Sequence, residues 1–334
     1  MHRQTVSMKF IFIAITLLPF SFLFAQQKAV AIHNPVLNLD FPDPTVINVN
    51  GNYYAYATQS EHDGTTENIQ LAVSTDLLHW KYIGDAMPQK PQWASSTQDF
   101  WAPHVLYNAG LRKYILFYSG KNNDTAFDKC IGVAFASKPE GPFIPEKEPL
   151  LSAKGFVDID PMAIVDPKTK KKYLFWGSGF QPVHVQEMSN DWKHFLKGSL
   201  AKNAVFPGTE KKYTILIEGS WVDYNNGYYY LYYSGDNCCG EGANYAVMVA
   251  RSKNITGPYT TLAKTKGIGS SAILEKDSSL LAPGHNSIVK DQNGNKWIAY
   301  HAIIKKDDGT WDRSKRVLCV SRLVYRNGWP KVVK

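Results

Sequence analysis

A unit of about 60 residues recurs five times along this chain of 334 residues. Each copy has a short polar or small head, an apolar strand, a turn, then an aromatic-rich strand ending near Ser or Gly. The heads open Asp43-Pro44-Thr45-Val46, Ala102-Pro103-His104-Val105, Asp160-Pro161-Met162-Ala163, Glu218-Gly219-Ser220-Trp221 and His285-Asn286-Ser287-Ile288. They are separated by 59, 58, 58 and 67 residues. Turn signals such as Asn50-Gly51-Asn52 and Asn293-Gly294-Asn295 part the two strands, since Asn and Gly accept the positive φ of tight hairpins. A third strand follows, with a tail such as Gly141-Pro142-Phe143 or Gly257-Pro258-Tyr259.

A strand-rich unit repeated in this order predicts an all-β, five-bladed β-propeller. Stacked blades bury faces that no single blade can bury alone. A β-sandwich would not repeat head, turn and tail in sequence. No linker divides the chain, so residues 26–334 read as one domain. The 13% aromatic content, with 9 Trp and 19 Tyr, suits a strand core or a sugar-binding cleft.

In a propeller the first strand of each blade lines the axis, so the heads converge at one mouth of the channel. Asp43, Asp160, Glu218 and His285 then share one small pocket with Ala102. Taken singly these residues have ordinary roles: Asp before Pro starts turns, a strand-end Glu is solvated, and a lone His is a satisfied turn residue. Matching repeat positions are what point to function. Crowded carboxylates repel, which raises at least one pKa and leaves a protonated acid beside an ionised base. Two carboxyl groups with separated roles are what glycoside hydrolysis needs. By contrast, Gly267-Ile268-Gly269-Ser270-Ser271-Ala272 matches a dinucleotide-binding pattern by letter alone, lacks a strand-to-helix context, and reads as a loop.

The first 25 residues read as an export signal: Arg3 and Lys9, an apolar run from Phe10 to Phe24, then Ala25 before Gln26-Gln27. The run is shorter than the roughly 20 residues that cross a bilayer, so no membrane association is expected after cleavage. Periplasmic or extracellular localisation follows. Loss of Arg3 and Lys9 lowers the formal charge from +8 to +6. The remaining Lys residues are scattered through loops without a nucleic-acid motif, so no nucleic-acid partner is expected. Cys130, Cys238, Cys239 and Cys319 show no C-x-x-C spacing, which argues against zinc. Export permits disulfides, including one between the adjacent Cys238 and Cys239.

At these residues the chain resembles glycoside hydrolase family 43, over about Asn34 to Pro330. Phe41-Pro42-Asp43-Pro44 is similar to the segment of the general base. Asp158-Ile159-Asp160-Pro161-Met162 resembles the segment of the pKa-modulating Asp, and Glu218-Gly219-Ser220-Trp221 that of the general acid. Phe100-Trp101-Ala102-Pro103-His104 resembles a motif whose Trp borders the sugar, and Arg316 to Pro330 a closing blade with Arg316 near the sugar. The stretch from Tyr228 to Tyr259 is most similar to arabinan-degrading members. Gly284-His285-Asn286-Ser287 resembles their segment in which the His faces a calcium ion through water. Blade three departs: Phe175-Trp176-Gly177-Ser178-Gly179-Phe180-Gln181-Pro182 is not the form associated with endo-acting arabinanases.

The resemblance implies inverting hydrolysis of α-L-arabinofuranosyl linkages in a plant cell-wall polysaccharide or its oligosaccharides, endo or exo. Asp43 would deprotonate water, Glu218 would protonate the leaving oxygen, and Asp160 would keep Glu218 protonated. Trp101 and Trp221 would offer apolar platforms, and Arg316 and His285 would bind the substrate. No cofactor is required for the chemistry; the resemblance implies a structural calcium ion near His285, held through water. Two other readings share the fold: hydrolysis of β-xylosidic or galactofuranosidic linkages, and a carbohydrate-binding propeller without catalysis. Three retained carboxylates disfavour the latter, because binding alone gains nothing from their repulsion.

Overall fold

A computed structural model describes residues 1, 2, 5 and 31–334. The export signal expected over residues 1–25 lies almost wholly outside the described residues. The compact unit runs from Ile32 to Lys334 and is built on five antiparallel sheets in chain order, a five-bladed β-propeller, with a small two-stranded sheet of Ser60–His62 and Thr65–Glu67 beside them. Blade one comprises Thr45–Val49, Asn52–Ala57, Gln70–Ser74 and Trp80–Asp85. The innermost strands of the other blades are Trp101–Asn108, Met162–Val165, Ile217–Asn225 and Leu280–Lys290.

The hairpin signals form as expected. Asn50 and Gly51 have φ of 52° and 88°, and Thr45–Val49 pairs with Asn52–Ala57 around them. One short α-helix, Leu262–Lys266, and one 3-10 turn, Gln92–Ala94, occur among the described residues. The α-helix ends at Gly267, so the glycine-rich stretch that follows is a loop leading into Ala272–Leu274.

The core divides into clusters between neighbouring blades. Tyr56, Leu71, Phe100, Tyr118 and Phe143 fill the space between blades one and two. Phe175, Ile217, Leu231 and Met248 do so between blades three and four, and Phe41, Val46, Trp297 and Leu318 between blades five and one. Each fully buried Leu or Phe contributes about 1.5–3 kcal/mol, and only the stack of blades supplies that burial.

The ring closes through the segment preceding blade one. Asn34 exchanges two hydrogen bonds of 2.8 Å with the backbone of Val320, and Phe41 N donates to Arg316 O at 2.8 Å. Cys238 and Cys239 are bonded to each other, while Cys130 and Cys319 are free and buried.

Candidate active site

The heads share one backbone device. Asp43, Ala102, Asp160, Gly219 and His285 have φ of 56°, 47°, 59°, 59° and 46°, the left-handed region that residues other than glycine seldom occupy. Ala102, Gly219 and His285 sit at register shifts where the first strand leaves its ladder, while Asp43 and Asp160 stand two residues before theirs begins. Such strain persists only where its surroundings hold it, and it concentrates at functional sites.

What holds it is the end of the preceding blade's second strand. Ala102 N donates to Thr58 Oγ1 (2.8 Å), Asp160 N to Ser119 Oγ (3.1 Å), and His285 N to Ser234 Oγ (2.8 Å). Asp43 N donates to His301 Nδ1 at 3.0 Å. In blade three the corresponding residue is Gly177, which bonds Ile159 through its backbone and has no side chain to offer. There the N–H of Gly219 donates instead to Asp160 Oδ2 at 3.0 Å. The recurrent Ser, Thr or His at the strand end therefore locks the head of the next blade.

Blade four corrects the sequence alignment by one residue. Glu218 pairs with Ser234, as Trp101 pairs with Ser119 and Gly284 with His301. The residue in step with Asp43, Asp160 and His285 is thus Gly219, and Glu218 shares its register with Trp101. A Cβ on Gly219 would lie 3.1 Å from Cγ and Nδ1 of His285, so the bare glycine seats the imidazole. Glu218 is half-buried, with Oε2 accepting from Ser178 Oγ at 2.6 Å and Oε1 from Tyr245 OH at 2.8 Å.

Asp43 is buried, and Thr58 Oγ1 donates to its Oδ2 at 2.5 Å. Its Oδ1 lies 3.3 Å from Arg316 Nη1 and 3.3 Å from His285 Nδ1. Burial alone would raise this carboxyl, but Arg316 and His285 outweigh it and hold it well below the usual range. His301 Nδ1 is also within 3.2 Å of Oδ1, yet burial lowers its pKa to about 4, so the ring is neutral. Its Nδ1 already accepts the Asp43 N–H and has no proton for the carboxylate.

Asp160 is pushed the other way. Burial is the largest cause; His285 opposes it, Glu218 and Asp43 add to it, and the pKa rises to about 8. His285 Nδ1 is 3.9 Å from Asp160 Oδ2. Burial disfavours its charge, but Asp43 and Asp160 prevail and lift the imidazole to about 9. At neutral pH the mouth thus holds an ionised Asp43, a protonated Asp160 and a cationic His285.

A calcium ion near His285 was the expectation from the family resemblance. His285 Nδ1 is turned to two carboxylates, Asp43 and Asp160. Among the described residues, no group of three or more His, Cys, Asp or Glu side chains is arranged to hold an ion. That concerns direct ligands, whereas the calcium ion expected near His285 would be reached through water; the positive side chains beside Asp43 are His285 and Arg316.

The two tryptophans separate. Trp101 is half-buried beside the Ala102 head, with Phe156 stacked on it at 6.0 Å and Lys129 Nζ 3.6 Å from its ring centroid. Phe156, 58% exposed, extends this apolar wall. Trp221 lies three residues inward of Glu218, with its ring 5.2 Å from that of His104. It lines a cavity of about 540 Å³ walled by the first strands of all five blades, including Val46, Met162 and Ile288. Trp221 therefore belongs to the axial channel, because the bulge turns it into the ladder opposite Tyr232.

Thr58, Ser178, Tyr245 and His301 were not singled out from the sequence. The strand-end residues were visible as a recurrent Ser or Gly; what they bond lies one blade away. Tyr245 carries no repeat signature at all.

Residues 32–330 match the family described as Glycosyl hydrolases family 43. The extracellular endo-α-(1→5)-L-arabinanase 1 of Bacillus subtilis (strain 168) is 30% identical, across 86% of this chain and 86% of its own. An endo-1,4-β-xylanase of Bacteroides thetaiotaomicron VPI-5482 superposes with a TM-score of 0.72 at 26% identity, across 89% of this chain and 95% of its own. An exo-1,5-α-L-arabinanase from a bovine ruminal metagenomic library gives a TM-score of 0.72 at 24% identity, across 91% and 100%, a likeness of fold. With the matched family spanning every blade and three carboxyl side chains meeting at the axis, this chain belongs to glycosyl hydrolases family 43 and is a glycoside hydrolase.

Proposed function

We propose that the enzyme cleaves α-L-arabinofuranosyl linkages in arabinan or arabino-oligosaccharides by a single displacement with inversion. One observation carries the role of the base: Arg316 Nη1 and His285 Nδ1, each 3.3 Å from Asp43 Oδ1, hold that carboxyl ionised. The role of the acid falls to Glu218 by its motif. Asp43 is the base that takes a proton from the attacking water. Glu218 is the acid that gives its proton to the leaving oxygen as the glycosidic bond breaks. Inverting pairs stand roughly 6.5–9.5 Å apart to admit that water. The family resemblance implies that Asp160 keeps Glu218 protonated by charge repulsion. Raised to about 8, Asp160 is uncharged at neutral pH, so that repulsion is absent and none falls on the carboxylate that Glu218 becomes. Trp101, with Phe156 behind it, offers the apolar face for the sugar, and Arg316 neutralises charge beside it.

The arabinan reading is supported by the Bacillus subtilis relative at 30% identity. Its name also carries the word extracellular, which agrees with export on the apolar segment after Lys9 and with a polysaccharide substrate. The likeness to a xylanase at 26% identity favours a second reading, a β-xylosidic linkage. Digestion of linear arabinan decides both points: arabinose alone means exo cleavage, mixed oligomers mean endo cleavage. No product from arabinan, with release from a nitrophenyl β-xyloside, would transfer the activity to xylosides.

A further inference from the structure

We infer that Tyr245 is a positioning residue for the acid, holding Glu218 so that its proton is aimed at the leaving oxygen and its conjugate base is stabilised. This rests on the reading of Glu218 as the acid. The contact is direct: Tyr245 OH donates to Oε1 at 2.8 Å, opposite the Ser178 hydroxyl on Oε2 at 2.6 Å. Both oxygens of Glu218 therefore accept a hydrogen, the arrangement suited to the carboxylate left after its proton has gone to the leaving oxygen. Donors aimed at charge that develops during the reaction lower its barrier without needing to reorganise.

Tyr245 is built to stay in place. It is fully buried among Ala243, Leu281, Ala282 and Ile303, and stacks on His301 with ring centroids 5.7 Å apart and planes 9° apart. Gly284 makes room for it, since a Cβ there would come within 2.0 Å of Tyr245 Cδ1. Burial, with Glu218, Asp160 and Asp43 nearby, holds the phenol well above its ordinary range, so it remains a donor. His301 in turn accepts the N–H of Asp43. One ring pair thus spans the acid in blade four and the base in blade one.

The test uses the purified enzyme, Tyr245→Phe, and two glycosides of whichever pentose it cleaves. One carries a dinitrophenyl leaving group, which departs without protonation, and the other is an oligosaccharide, which needs it. Tyr245→Phe is expected to lower kcat/KM on the oligosaccharide about tenfold and to leave the dinitrophenyl glycoside within about threefold. Equal loss on both, or no loss on either, overturns the inference. Ser178→Ala removes the donor at the other oxygen and repeats the comparison should Tyr245→Phe fold poorly; an unbiased loss there overturns the clamp. Glu218→Gln is measured alongside: if it shows no leaving-group bias, the acid assignment itself fails, whatever Tyr245→Phe does.

Discussion

Arg316 Nη1 lies 3.3 Å from Asp43 Oδ1, joining two residues 273 positions apart in the chain at the point where the ring of blades closes. The same Arg316 ties that closure through its backbone, donating from N to Asp40 Oδ1 at 2.8 Å and accepting from Phe41 N. Its guanidinium is the leading reason that buried Asp43 stays ionised. Arg316→Met removes the charge and keeps the stem. Asp43 then moves up toward the value burial favours, so the acid limb of the pH profile of kcat/KM shifts to higher pH. A limb that stays fixed, or moves to lower pH, contradicts this account of the base.

Asp43→Asn and Glu218→Gln keep side-chain shape while removing the ability to take or give a proton. Turnover of the glycoside is expected to fall by about 10² to 10⁴. Circular dichroism and the thermal midpoint should stay near wild type. A variant that folds normally and retains more than about a tenth of wild-type turnover would falsify its assigned role.

Asp160 gives a stability signature of definite sign. Its folded pKa, about 8, lies above the roughly 3.9 of an unfolded Asp. Between those values the folded protein holds a proton at this site that the unfolded chain has released. The site's contribution is whole below about pH 4 and is lost as pH rises through 8. Asp160→Asn cannot titrate, so wild type should lose stability relative to it between about pH 5 and pH 8. Denaturant midpoints at the two pH values check this. A gap that is constant, or that widens in favour of wild type, rejects the raised pKa.

The propeller was legible because its two signals are local. Asn50-Gly51 sets a turn by backbone preference, and the recurring heads mark where each blade begins. Asp43, Asp160 and His285 were readable as a set for the same reason. The frame in blade four was not, because the bulge decides which of Glu218 and Gly219 takes the left-handed φ, and both letters fit a strand end. The family motif still placed Glu218 at the same mouth as Asp43 and Asp160. Tyr245 was out of reach: its value lies in contacts with Glu218 and His301, 27 and 56 positions away, which no periodicity encodes. Trp221 was misassigned because proximity in sequence to Glu218 hides a reversal of setting three residues further on.

That reversal yields opposite expectations for the two tryptophans. Trp101 stands at the mouth, stacked with exposed Phe156 and capped by the Lys129 ammonium, which Asp99 holds at 2.6 Å. If Trp101 meets the sugar as proposed, Trp101→Ala should raise KM about tenfold, with a stability cost of the same order as another half-buried Trp. Trp221 packs on His104 in the channel wall. It is only half-buried, so Trp221→Ala should cost about 2 to 3 kcal/mol, below the 3–5 typical of a fully buried Trp. Its KM should match wild type. Michaelis kinetics and denaturant unfolding on both variants separate the cases. If Trp221→Ala raised KM at unchanged stability, Trp221 would return to the sugar wall and the channel would have to open onto the substrate.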